Sequence, residues 1–550
     1  MARPSMVPMR GHPSTRREFF AQSAVIAASV CTTRPRQTLA INPRSTKPLG
    51  ALAPSLMAPE QLRQIARTAI DAAVHAGAQF ADVRVAERRS YAQMGLTDRV
   101  RVALRVRVAD REAAALLGDA SPEHIMAAAR DAVATARTLG NLPPALPLVS
   151  MPVVTGEWRA PVSIDPFAIS PNDHEFVRES FDLGGIPYTR LTRSRVVSTV
   201  CQFEWHAETR VFASSEGSMV TQYLAGAIPA IWLLRSAWRS EPLSGESVYV
   251  RAPGLFPMTA GFEAVIGAAP RARFEAAINE ASEYGSYPMG VMDVGRHPIV
   301  FDGMLSASLI GNALLPALTL SRVLGYDANM EGVSFLPPPT SSNAPPSLSR
   351  HLSLDVAPET PHWGAARWDD EGVVTQPVRL IDQGTIVEYL STRGTGGAVA
   401  EWQAAQHRPA AVPGVAFTFD TPLPRGLAPA TVVAPAPAGP SLPDLLPQMS
   451  DGLFAWGGGV AVDEYGLGGT IFGGLLLEVR RGRIVREIAA SRIEFSTLTL
   501  LRNITMLGGP ASSQTSEVVV DGGIPWGRAS ISVAAPALGF KEVNVMSNRY

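Results

Sequence analysis

The sequence predicts an α+β fold in which a small N-terminal α/β domain precedes a large β-rich C-terminal domain. Three observations carry that prediction. Two stretches with helical spacing of apolar residues, 59–77 and 121–136, bracket a segment in which arginine and apolar side chains alternate strictly. From residue 195 onward the chain reads as strand-like runs broken by polar turns. Its 550 residues exceed one compact core and suffice for two or three domains. Hydrophobic residues at 46% and charged residues at 18% give an ordinary globular balance rather than a disordered one. With 48 basic against 49 acidic residues the formal net charge is −1, so no long-range field draws the chain to nucleic acid. The two cysteines, Cys31 and Cys201, cannot supply a disulfide framework or a cysteine-rich zinc site.

Residues 1–40 read as an export address rather than as part of the fold. Ser14-Thr15-Arg16-Arg17-Glu18-Phe19-Phe20 sets paired arginines just before a modestly apolar stretch, 19–30, which is too short for a stable membrane anchor. Arg34 and Arg36 add a basic flank beyond it. The pattern is that of a twin-arginine signal, which carries folded proteins across the inner membrane, so a periplasmic or otherwise extracytoplasmic location is expected. A disordered basic tail is the blander alternative.

The α/β domain is expected over 58–140. Pro59 suits a first helical turn, where its missing N–H costs nothing, and Leu62, Ile65, Ile70, Ala73 and Val74 then recur at helical spacing. Residues 80–86 read as a strand. Between 99 and 108, Val100, Val102, Leu104, Val106 and Val108 share one face, and Arg99, Arg101, Arg105 and Arg107 share the other. The arginine stripe could grip phosphates, but a solvated outer face is the more economical reading. Ser121-Pro122-Glu123 opens a second helix with Ile125, Ala129, Ala132, Val133 and Ala136 on its apolar side.

A proline-rich linker, 141–171, leads to a central β-rich region, 172–290, with strand-like runs at 195–203, 208–213 and 219–224. The C-terminal domain, 291–550, contains a further run at 374–390. Its proline-rich stretches 336–348 and 421–443 read as surface insertions. Gly457-Gly458-Gly459 and Gly473-Gly474 mark tight turns and lack the strand–turn–helix setting of a dinucleotide site.

Four local patterns occur in an order that resembles the TldD/PmbA (TldD/TldE) metallopeptidase family, from about residue 58 to the C-terminus. They are Ala81-Asp82-Val83-Arg84; Ser214-Ser215-Glu216-Gly217; Asp369-Asp370-Glu371-Gly372 with Leu380-Ile381-Asp382-Gln383-Gly384 and Tyr389-Leu390-Ser391-Thr392-Arg393; and the stretch 500–508, which looks like the family's late helix. The resemblance implies an α/β domain joined to a β-rich domain of the TldD/PmbA type, assembled as dimers. In active members it implies one zinc held by a HExxxH segment and a later cysteine, with a glutamate taking the proton of the bound water.

This chain departs from that pattern where the chemistry should be. The segment beginning at His297-Pro298-Ile299-Val300-Phe301-Asp302 resembles the strand entering the metal helix, and Arg322-Val323-Leu324 resembles the stretch after that helix. Between these anchors the zinc positions fall on Gly311 and Pro316 and the general-base position on Asn312. Glycine and proline side chains carry no donor atom, and an amide is no base near neutral pH. Residues 304–320 contain no His, Glu, Asp or Cys. The late cysteine position falls near Asp521 to Gly523, and the nearest cysteine in sequence is Cys201. The expected reading is therefore a family member with a degenerate metal site, without catalytic residues, metal or other cofactor of its own. It would be a homodimer or a heterodimer with a TldD-type zinc-bearing subunit, with peptide as its ligand and no nucleic-acid or stable membrane partner. An active peptidase with non-family metal ligands and a peptide-binding scaffold without catalysis are the alternatives.

Rival sites are weaker. His174 and Glu179 stand five apart, about 140° round a helix, and converge poorly. Glu204, His206 and Glu208 would share one face of a strand, where a surface ion-pair cluster is the expected reading and a metal the alternative. His351 and His362 show no partner spacing. No GxSxG elbow supports a serine hydrolase. Asp369-Asp370-Glu371 invites an acid/base or calcium reading, but its place before a strand favours a turn.

Overall fold

The alternating arginine–valine segment forms a strand whose two faces pack against different material. The computed structural model describes residues 57–547 apart from 93–94, 140–143, 167–195, 236–247, 252–256, 265–271, 273–274, 277–278, 281, 293, 329–331, 341–343, 359–361, 406–422, 464, 473, 489–490 and 522–527. The expected export signal lies outside these residues, and Ala51–Tyr550 form one compact unit.

The first layer contains helices α1 (Pro59–His75) and α2 (Pro122–Thr138) and strands β1 (Phe80–Ala92), β2 (Gly95–Val108) and β3 (Arg111–Leu117). Strands β4 (Thr155–Arg159), β5 (Val196–Ser214), β6 (Met219–Arg235) and β7 (Val248–Arg251) extend the same sheet. The order is β3-β2-β1-β5-β6-β4, with β7 beside β6. Neighbours are antiparallel except β4, which lies within the proline-rich linker and runs parallel to β6. Val83, Val85, Val102, Leu104, Val106 and Val211 form the apolar face and pack against Leu62, Ala66 and Ala69 of α1 and Ile125, Ala129 and Val133 of α2. The small alanines let both helices approach the pleat closely. Each fully buried valine or leucine there contributes about 1.5–3 kcal/mol.

The opposite face is not the solvated surface expected of it. Arg105 retains 4% of its side-chain exposure. Arg101 and Arg107 are half-buried, and Arg99 is exposed. The cover comes from far along the chain: Arg107 donates to the Leu146 carbonyl at 2.5 Å and Arg105 to Glu371 at 2.9 Å.

The C-terminal half holds two more sheets. One has six strands in the order Thr385–Ile386, Val378–Asp382, Leu354–Val356, Ala430–Val433, Arg528–Ala535 and Gln514–Asp521. The other has ten, and at its centre Gly295–Phe301 lies between Leu538–Ser547 and Gly452–Trp456. Between the sheets runs α3 (Gly303–Leu309), followed by a π turn, Ile310–Leu314, a 3-10 turn, Pro316–Leu318, and the short α4 (Leu320–Val323). All seven residues of α3 are buried.

Two expectations fail in this half. The stretches 336–348 and 421–443 are not surface insertions: Leu336 and Leu348 join the core, and Ala430–Val433 is an interior strand of the six-stranded sheet. Pro429 and Pro435 stand just outside that strand, where a missing N–H interrupts no ladder bond. The stretch 500–508 is only partly helical. Helix Thr497–Arg502 stops at Asn503, and Ile504–Leu507 is a strand beside Leu538–Ser547. Among the described residues, no helix is long and apolar enough to cross a membrane.

Candidate functional site

The segment that resembles the family's metal helix is built as core. Asp302 caps it: one carboxylate oxygen accepts from the Leu305 N–H at 2.7 Å and the other from the Gly457 N–H at 2.7 Å. Burial outweighs these donors and pushes the Asp302 carboxyl up to about 7. Further along, Pro316 has no N–H to offer the Asn312 carbonyl and its ring crowds that group. The backbone relieves the conflict by widening into the π turn, where the Leu315 N–H reaches Ile310 O at 3.0 Å.

The three positions at which the resemblance places the metal site have different surroundings. Gly311 lies against the six-stranded sheet, so close that an added Cβ would stand 3.0 Å from Val533 Cγ2 and closer still to Val518 Cγ2. The Asn312 amide turns back along its own helix and donates to the Ser308 carbonyl at 2.8 Å. Pro316 opens the 3-10 turn and is half-buried. The structure thus brings Gly311 beside the strand that ends at Asp521. Gly523 lies outside the described residues, and Cys201 is on β5 of the first sheet. These residues do not fit a zinc ion: Gly311 and Pro316 offer no donor, the Asn312 amide is engaged, and Val518 and Val533 fill the space a ligand side chain would need.

His174 and Glu179 lie outside the described residues. Glu204, His206 and Glu208 do fall on one strand, β5, but not on a surface. Glu208 is fully buried between Arg88, at 2.8 Å, and Arg210. The His206 ring meets Trp363 edge-on, with centroids 4.8 Å apart, and the positions closing over this face are Trp363 and Gly226. Burial first, then the charge of Arg88, holds the His206 pKa down to about 3. The expected surface cluster is therefore partly enclosed: Glu208 is buried and Glu204 and His206 are half-buried, with Trp363 over His206. His362 is half-buried, with its carbonyl accepting from Thr259 Oγ1 at 2.5 Å, and His351 is half-buried as well. Among the described residues, no group of three or more His, Cys, Asp or Glu side chains is arranged to hold a metal ion.

Residues from three of the four patterns that carried the family resemblance converge elsewhere, at the joint between the first sheet and the C-terminal half. Asp82 of β1 pairs with Arg105 of β2, whose other amine reaches Glu371 at 2.9 Å. Arg84 lies 3.4 Å from Asp370, which also takes Arg210. Glu371 accepts from the Arg393 backbone N–H at 2.5 Å, and the Arg393 guanidinium grips Glu216 through two bonds of 2.8 and 3.0 Å. Ser215 closes the edge by accepting from the Ala81 N–H at 3.0 Å. Arg105 and Arg393 both stack on Phe80, each 5.6 Å from its ring centroid. The turn expected at Asp369-Asp370-Glu371 is present, and it is buried. Sequence reasoning found each motif but not their meeting. The available signal was that each converging motif carries a charged residue.

Comparison with known proteins agrees with this architecture. A profile described as the PmbA/TldA metallopeptidase C-terminal domain matches residues 294–547. No curated protein sequence is similar enough to count as a relative. Among solved structures, TldE from Thermococcus kodakarensis is similar in fold, with a TM-score of 0.61 at 14% identity over 88% of this chain and 100% of that one. A Thermotoga maritima protein described as a candidate modulator of a DNA gyrase gives a TM-score of 0.60, also at 14% identity, over 88% and 100% of the two chains. A similarly described Bacteroides thetaiotaomicron protein gives 0.58 at 14% identity, over 88% and 98%. Residues 294–547 therefore match the model of the PmbA/TldA metallopeptidase C-terminal domain, on a chain whose fold is similar over 88% of its length to that of TldE.

Proposed function

We propose that this chain is an exported, zinc-free, TldE-like subunit that pairs with a zinc-bearing TldD-type partner in proteolysis or peptide processing. One observation carries the reading: the space beside Gly311 is filled by Val518 and Val533, so the helix that would hold zinc is closed by packing as well as stripped of ligands. A chain of this fold can then contribute shape and a partner surface, but not a metal-bound water. The fold similarity to TldE supports the same role. The paired arginines Arg16 and Arg17 support export of the folded chain.

One preparation tests all three parts. The mature protein is recovered from the extracytoplasmic fraction of its host and its zinc content and companions are measured. Less than about a tenth of an equivalent of zinc on this chain, with a zinc-bearing homologue co-purifying, is the expected result. Near one equivalent on the isolated chain overturns the zinc-free reading, absence of any such companion overturns the pairing, and recovery from the cytoplasm alone overturns export.

A further inference from the structure

The joint contains one carboxyl group more than its arginines match. Arg84, Arg88, Arg105 and Arg210 face Asp82, Glu208, Asp370 and Glu371 in direct ion pairs. Arg393 and Glu216 form a fifth pair at the rim. Asp369, 1% exposed, adjoins this set without joining it. Its Oδ1 accepts from the Glu371 and Val373 N–H groups at 2.8 and 2.9 Å. Its Oδ2 is buried and has no hydrogen-bond partner.

We propose that Asp369 holds a proton in the folded protein and is the switch of this joint, which loosens when that proton leaves. The geometry supplies the reasons. An ionised Asp369 would place an unmatched negative charge beside Asp370 and Glu371, with one oxygen stripped of water and bonded to nothing. The charged groups around it already face partners of opposite sign. From β1 come Asp82 and Arg84, from β2 Arg105, and from β5 Glu208 and Arg210, all committed to one another. From the turn at 214–217 comes Glu216, and from the helix Arg393–Ala398 the Arg393 N–H, already taken by Glu371. The turn itself is fixed: Asp369 N–H donates to Val373 O at 2.9 Å, and Gly372, at φ +75°, packs where a Cβ would stand 2.9 Å from Phe212 Cδ1 and closer still to Cε1.

Burial, and then the nearby Glu371 carboxylate, raise the Asp369 pKa well above its ordinary value. A carboxyl whose pKa is raised on folding contributes stability that is complete below the unfolded pKa and is lost as pH rises through the folded one. The joint therefore tightens toward acid and loosens toward alkali, the reverse of a salt bridge held by depressed carboxylates.

Infrared spectra with labelled aspartate test this, alongside amide exchange at Glu371 and Val373 corrected for intrinsic rates. At neutral pH the wild-type chain should show a protonated-carboxyl component, beyond that of Asp302, that Asp369→Asn lacks. Between about pH 5 and about pH 9 exchange protection at these amides should fall roughly tenfold in the wild type and stay level in Asp369→Asn, which keeps the Oδ1 acceptor. Equal bands in the two proteins, or equal pH dependence, overturn the proposal. Should the variant not fold, titration of Asp302→Asn, which removes the other raised aspartate, decides: the remaining band and the protection must disappear together, and separate midpoints overturn it.

Discussion

Two buried regions of this molecule have met opposite fates. Around α3, positions that resemble a metal site have become a close-packed apolar interior, with Gly311 pressed on Val518 and Val533. At the joint, charged motifs of the same resemblance remain charged and are enclosed as ion pairs. Chemistry can be removed from a helix by filling its space with methyl groups, because the fold then gains dispersion contacts. A buried ion network cannot be dismantled one residue at a time, since each removal strands a partner charge. The joint is thus the part of the resemblance that folding itself enforces.

That contrast can be broken or sharpened by substitution. The largest effect is expected at Asp370→Ala, which leaves Arg210 and Arg84 facing no carboxylate on the turn. Loss of one partner from a buried pair costs about 3–5 kcal/mol, measurable by chemical denaturation. A cost below about 1 kcal/mol would mean that the network contributes little and the contrast is false. Next comes Gly311→His, the attempt to restore a ligand. Overpacking there should cost about 1–3 kcal/mol with no gain in zinc affinity, and adding Val518→Ala should recover part of the loss. Tight zinc binding by the single variant would show that the space is not closed.

The smallest effects concern pH, and they have opposite signs. The Asp302 carboxyl is raised from 3.8 to about 7, so the folded state keeps a proton that the unfolded chain releases, and stability falls as pH rises through that window. The His206 imidazole is lowered from 6.5 to about 3, so the unfolded chain takes up a proton that the folded state refuses, and stability falls as pH drops through that window. Thermal melts should accordingly lose the first slope in Asp302→Asn and the second in His206→Phe. If either slope survives its variant, the assignment fails.

How much of this was legible depends on distance along the chain. The helices at 59–75 and 122–138 and the apolar face of β2 arise from local periodicity, which a 3.6- or 2-residue repeat encodes within a few turns. The burial of Arg105 does not, because its cover, Glu371, lies 266 residues away. The strand Ala430–Val433 was hidden by its flanking prolines, and its place inside a sheet depends on Arg528–Ala535 alongside it. At the positions where the resemblance places the metal site, Gly311 and Pro316 carry no donor atom and Asn312 only an amide, as the sequence itself states. That the space is also filled required Val518 and Val533, which only the folded sheet brings there.

The strand Leu538–Ser547 lies in the interior of the ten-stranded sheet, paired on one side with Ser491–Ser496 and on the other with Gly295–Phe301. During synthesis this sheet therefore stays split until residues 538–547 have been released, and the arginine face of β1 and β2 stays uncovered until Glu371 and Arg393 have been made. Folding order is set by these late segments, not by the first elements to emerge. A chain cut just before Leu538 would lose the element that joins two halves of a sheet, not a dispensable tail.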